Sequence, residues 1–149
     1  MPSSWSRRTG PQSGSACEYV GLRFQFAGPV REVVRHAHAA INYANILNEL
    51  KRFEEAKSLL RKSIPVARRV FGESDEITLR MRQNYAEALY KDPAATLDDL
   101  REAVTTLEEI ERTARRVLGG AHPLTPAFES HLKWSRAALA ARETLSGKS

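Results

Sequence analysis

The hexapeptide Ala67-Arg68-Arg69-Val70-Phe71-Gly72 returns as Ala114-Arg115-Arg116-Val117-Leu118-Gly119, and this recurrence limits the fold more than any other feature of the chain. Its surroundings return with it. Thr78 and Thr125 stand 47 residues apart, as do Glu55-Ala56 and Glu102-Ala103. A second register, Asn42-Tyr43-Ala44 against Asn84-Tyr85-Ala86, has an offset of 42. The difference between the two offsets places one insertion between Leu89 and Ala103, around Lys91-Asp92-Pro93-Ala94-Ala95. Self-similarity at such a period belongs to arrays in which each unit buries its apolar face against its neighbours, rather than to a single closed enzyme core.

Within each unit the apolar residues recur at three and four, the helical period. Val33, Ala37, Ala40, Tyr43, Ala44 and Leu47 predict a first helix from Val30 to about Leu50, with a tight turn at Lys51-Arg52. Phe53, Ala56, Leu59, Leu60, Ser63 and Ala67 mark a second helix to Phe71, with a kink expected at Pro65 and a stop at Gly72. The third, capped by Ser74 or Asp75, turns Ile77, Met81, Tyr85, Ala88 and Leu89 inward and ends at Asp92-Pro93. Thr96-Leu97-Asp98-Asp99 reads as a capping box for a fourth helix that buries Leu100, Ala103, Leu107, Ile110, Ala114 and Val117 and stops at Gly119-Gly120. The last helix starts near Pro123, with Leu124, Phe128, Leu132, Ser135 and Leu139 inside and Lys133, Arg136 and Arg142 in water.

Domain limits follow: a disordered segment over residues 1–29, a helical domain over 30–143 and a frayed tail over 144–149. Residues 1–17 contain two arginines, several serines and no acid, a composition shared with organelle transit peptides. They lack amphipathic length, so an untargeted start and a cytoplasmic default are preferred. No apolar run approaches the roughly 20 residues that span a bilayer. Cys17 is the single cysteine, which rules out an internal disulfide and a cysteine-based metal cluster. The net charge of +5 favours acidic partners or anionic surfaces, although the cations are spread along the chain.

Nothing in the sequence assembles into a catalytic constellation. No nucleophile elbow, phosphate loop or zinc-ligand spacing is present. His36 and His38 project about 200° apart on a helix, a poor geometry for chelation. His122 falls in a turn between units. Asp98 and Asp99, like Glu108 and Glu109, are neighbours on a wet face and do not converge as an acid–base pair. The reading is a chain that is not an enzyme and carries no cofactor and no metal.

Small residues at the crossing points, Ala44 against Ala56 and Ala86 against Ala103, let paired helices approach closely, while Phe53 and Leu100 fill the gap at the turn. With these residues in place the chain resembles the tetratricopeptide repeat family in its kinesin-light-chain-like form. The matching residues are Asn42-Tyr43-Ala44, Phe53-Glu54-Glu55-Ala56, Phe71-Gly72 and Thr78. They continue with Asn84-Tyr85-Ala86, Glu102-Ala103, Leu118-Gly119 and His122-Pro123-Leu124-Thr125. Asp75-Glu76 stands where the first unit of that pattern would have His-Pro, and the third unit has only its first helix. The resemblance covers about residues 31–143. It implies an all-α, tetratricopeptide-type right-handed α-solenoid of about two and a half helix-turn-helix repeats, five helices in all. Arrays this short fall below the three or so units needed for independent stability, so a fragment, a second copy or a supporting partner is expected.

A solenoid of this kind implies a protein or peptide partner held in the concave groove lined by the first helix of each unit. The polar groove positions are Asn42, Asn45, Arg80, Asn84 and Glu87. An amide donates and accepts at once, so Asn42 and Asn84 suit a peptide backbone whatever its side chains; hydrogen bonding between helices is an equal reading for both. Ile41 occupies the place where relatives that bind terminal carboxylates carry a lysine. The alternative function is an arginine ladder, Arg68, Arg69, Arg115 and Arg116, facing nucleic acid or an acidic protein surface. No aromatic platform or glycine clamp accompanies it, which disfavours nucleic acid.

Overall fold

Periods of three and four along the chain become five consecutive α-helices in the computed structural model, which describes residues 30–147. These are α1 (Val30–Glu49), α2 (Phe53–Phe71), α3 (Glu76–Lys91), α4 (Leu97–Val117) and α5 (Leu124–Gly147). The expectations for residues 1–29, including the transit-like composition and Cys17, lie outside the described residues.

Local chemistry sets each boundary. Lys51 takes a left-handed φ of 63° to close the turn between α1 and α2. Gly72 and Gly119 end α2 and α4 with φ of 99° and 91°, values that side-chain-bearing residues rarely adopt. Asp75 accepts from the Ile77 N–H at 2.9 Å to cap α3. Thr96 and Asp99 exchange reciprocal bonds of 3.1 and 3.0 Å at the start of α4. The recurring threonines tie each odd helix to the end of the helix before it: Thr78 donates to the Ala67 carbonyl and Thr125 to that of Gly119. Helix α2 runs unbroken through Pro65.

Each helix packs against the next, and in addition α1 lies on α3 and α3 on α5; α2 and α4 are not packed on one another. The odd helices therefore form one layer and the even helices another. This is the stacked-hairpin arrangement of an all-α solenoid. Ala44, Ala56, Ala86 and Ala103 are all at 0% exposure, so the helices meet nearly backbone to backbone at these points. Tyr85 of α3 joins the units, because it packs against both large core clusters.

Two expectations are corrected. Val117 is 49% exposed, because at the end of α4 it is the neighbouring Leu118 that packs against the core. Arg142 is not a freely solvated cation; its guanidinium donates to the carbonyls of Ala95 and Pro93 and clamps the inserted loop onto α5. Residues 144–147 continue α5 as helix.

The two ends of the stack differ. Tyr43 and Ile46 of α1 are 54% and 52% exposed, whereas their equivalents Tyr85 and Ala88 in α3 pack against the preceding hairpin. At the other end, Lys133 and Arg136 of α5 replace the buried Ala86 and Leu89 of α3, and both are exposed.

Ala103 tests the close crossing. An Ala103→Leu chain should lose about 1–3 kcal/mol of stability through overpacking, measured as a lowered urea midpoint. Val117→Ala should change it by about 0.5 kcal/mol or less, as an exposed site does.

Candidate binding surface on the odd-numbered helices

The offsets of 42 and 47 bring equivalent residues onto α1, α3 and α5. Asn42, Asn84 and His131 share one position, and Asn45, Glu87 and Trp134 share the next turn. Because these helices lie side by side, each set forms a row across the layer.

The sequence-predicted residues separate into two groups. Asn42 is exposed, Asn45 and Arg80 are half-buried, and none of the three forms a side-chain hydrogen bond or ion pair among the described residues. Glu87 is engaged: it accepts from the Gln83 amide at 3.0 Å and pairs with Lys91 at 2.7 Å. Asn84 is different. It is 2% exposed, its amide donates to the Ile41 carbonyl of α1 at 3.3 Å, and its own carbonyl accepts from Asn48 at 3.2 Å. Of the two readings open for Asn84, its amide carries out the one between helices. Asn42 has the same chemistry, but α1 has no preceding helix among the described residues on which to use it.

His131 repeats the seam role of Asn84 with a ring in place of an amide. Its Nε2 lies 3.2 Å from the Gln83 amide nitrogen and its Nδ1 lies 2.8 Å from the Tyr90 hydroxyl. With the Gln83 amide donating to both Glu87 and His131, Nε2 accepts and Nδ1–H donates to Tyr90, which is the neutral ring. Burial holds His131 below the ordinary histidine value, opposed by the Glu87 carboxylate and assisted by Lys91. Burial, reinforced by Glu87, pushes the Tyr90 hydroxyl well above its usual range. Trp134 stacks edge-on against His131, with centroids 5.2 Å apart, yet remains 50% exposed. A large aromatic fixed from behind and open in front can contact a ligand at little entropic cost.

Sequence reasoning did not single out Gln83, Tyr90, His131 or Trp134. The signal was present, since the 47-residue offset maps Glu87 onto Trp134 and Asn84 onto His131. The arginine ladder is not assembled. Its two pairs stand on α2 and α4, which do not pack together. Arg68 is bound to Glu73 at 2.9 Å, and Arg115 to both Glu111 and Glu129. No group of three or more His, Cys, Asp or Glu among the described residues is arranged to hold a metal ion. No helix there is long and apolar enough to cross a membrane.

Two substitutions probe this seam. Asn84→Ala removes the amide bond to the Ile41 carbonyl, which keeps its own helical donor, and should cost about 0.5–1.5 kcal/mol. His131 makes stability depend on pH. Its folded pKa lies below the unfolded value of 6.5, so below that pH the unfolded chain binds more protons and stability falls. Urea midpoints should therefore drop between about pH 7.5 and about pH 5.5. The drop should be smaller in His131→Asn, which carries the amide found at the same place in the other units.

A family model described as "Tetratricopeptide repeat" matches residues 35–92. That span runs from α1 through α2 and α3 to Asp92, one complete hairpin and the first helix of the next. The comparison with curated proteins and the comparison with solved structures return no match. With its repeat match and its stacked helical hairpins, the chain is an all-α solenoid of the tetratricopeptide type.

Proposed function

We propose that this chain is a non-catalytic protein-interaction module that holds a linear peptide motif along the layer formed by α1, α3 and α5, in the kinesin-light-chain-like manner. Tetratricopeptide repeats in general bind other proteins, and in helix-pair solenoids the first helices line the concave side. The reading rests above all on one observation: at a single repeat position the three helices carry Asn45, Glu87 and Trp134, three different chemistries on otherwise matching frames. A row that only held the stack together would not need such variety. Asn42, Asn45 and Arg80 supply polar groups with no partner inside the described residues, and Glu87 supplies a carboxylate. Asn84 fixes the spacing between α1 and α3 and so the pitch at which the peptide is read. The cytoplasm is the compartment that fits such an adaptor.

The test is a random peptide array followed by anisotropy on the peptides selected. Asn45→Ala, Arg80→Ala and Trp134→Ala should each weaken binding about tenfold, or about 1.4 kcal/mol, with helicity by circular dichroism unchanged. Selected peptides that bind a chain carrying all three substitutions as tightly as the original would rule this surface out.

A further inference from the structure

The cleft between α4 and α5 has an internal precedent. Arg61, Ile64, Arg68, Arg82 and Tyr85 line a cleft of about 240 Å³ between α2 and α3, and Glu102 and Thr106 of α4 close it as a third wall. Glu109, two turns along α4 from Glu102, binds the nearly buried Arg82 at 2.6 Å. The first cleft is thus closed by a helix that brings down two carboxylates spaced two turns apart.

Forty-seven residues on, the same positions become Glu108, Glu111, Arg115, Glu129 and Leu132. They line a wider opening, about 550 Å³ in its larger part, between α4 and α5. Its walls come from these two helices, and no third helix lies over it among the described residues. Arg112, Arg116 and Lys133 also line it and make no ion pair there, while Arg136 binds Glu108 at 2.9 Å. Where α4 meets apolar Ala86 and Leu89 of α3, a helix entering here meets Lys133 and Arg136 of α5. Burying unpaired cations costs several kcal/mol each, so an apolar helix is rejected and an acidic one is selected.

We propose that this cleft docks an amphipathic helix from a partner protein, one that presents carboxylates two turns apart on one face, as α4 presents Glu102 and Glu109 to the cleft before it. The acidic helix is favoured over nucleic acid because Glu108, Glu111 and Glu129 interrupt the cations and repel a continuous phosphate backbone. The site shares no residue with Asn45, Arg80, Glu87 or Trp134 of the odd-helix layer.

The probe is a designed helix of about 20 residues with glutamates two turns apart on one face, its binding followed by anisotropy. Arg112→Glu combined with Arg116→Glu should weaken it about tenfold or more. A probe with lysines in place of the glutamates should bind that variant and not the original chain. Lys62→Glu combined with Arg69→Glu makes the same change in net charge away from the cleft and should leave affinity near the original. Equal loss in both double variants would reduce the effect to bulk charge and overturn the site. So would single-stranded RNA competing at equal affinity. Sedimentation showing a dimer abolished by Arg112→Glu/Arg116→Glu would assign the cleft to a second copy instead of a foreign helix.

Discussion

Four alanines at 0% exposure set the distance between helices, and the rest of the architecture follows from that distance. Ala44 and Ala56 lie in the first hairpin, Ala86 and Ala103 in the second. A larger side chain at any of these points would separate the backbones, and interiors packed at crystal-like density leave no slack to absorb it. The larger residues fill what the alanines leave open. Phe53 and Leu100 close the turns, Leu60 and Leu107 fill the middle of each hairpin, and Phe128 seals α5 onto α4. Only at this spacing do the odd helices also touch one another, which brings Asn84 within reach of the Ile41 carbonyl and His131 within reach of Tyr90.

The polar groups of that seam are of two kinds. Some are consumed by the fold: Asn48, Asn84, His131 and Tyr90 are buried or half-buried with hydrogen bonds between helices. Others lie one turn further along the same helices and are open to differing degrees: Asn45 is half-buried, Glu87 is largely covered with both oxygens engaged by Gln83 and Lys91, and Trp134 is half exposed. Seam bonds on one turn and these side chains on the next give a surface whose backbone is fixed and whose chemistry varies by unit. Such an arrangement places binding groups on rigid elements and so limits the entropy lost on association.

Helical periodicity explains both what the sequence made legible and what it hid. It located all five helices, the capping box at Thr96 and Asp99, and the stop at Gly72, because these depend on contacts within a hairpin. It did not give the rotation between hairpins, which decides which flank of each apolar stripe the next unit covers. Asn84 and Glu87 therefore read alike as polar neighbours of the stripe, although one is buried against α1 and the other keeps one edge open. Arg142 failed for a related reason: its partners, Pro93 and Ala95, belong to the insertion, and an irregular loop has no period to extrapolate. The internal offset was the remaining resource. It carries Asn84 onto His131 and Glu87 onto Trp134 without any knowledge of rotation, because equivalent residues share an environment.

The unlike ends of the stack restrict how copies of the chain can associate. Joining the exposed Tyr43 and Ile46 of one molecule to the Lys133 and Arg136 end of another would gain about 1.5–3 kcal/mol for each apolar side chain fully buried. It would also remove Lys133 from water, at several kcal/mol when it finds no partner, and desolvate the Arg136–Glu108 ion pair. The two terms offset one another, so head-to-tail growth into a filament gains little, whatever its geometry. The same charges lower the barrier to a different occupant, since a carboxylate facing Lys133 or Arg136 supplies the compensation that an apolar face lacks. Lys133 and Arg136 thus disfavour an apolar face and favour an acidic helix, through a single desolvation term of opposite consequence.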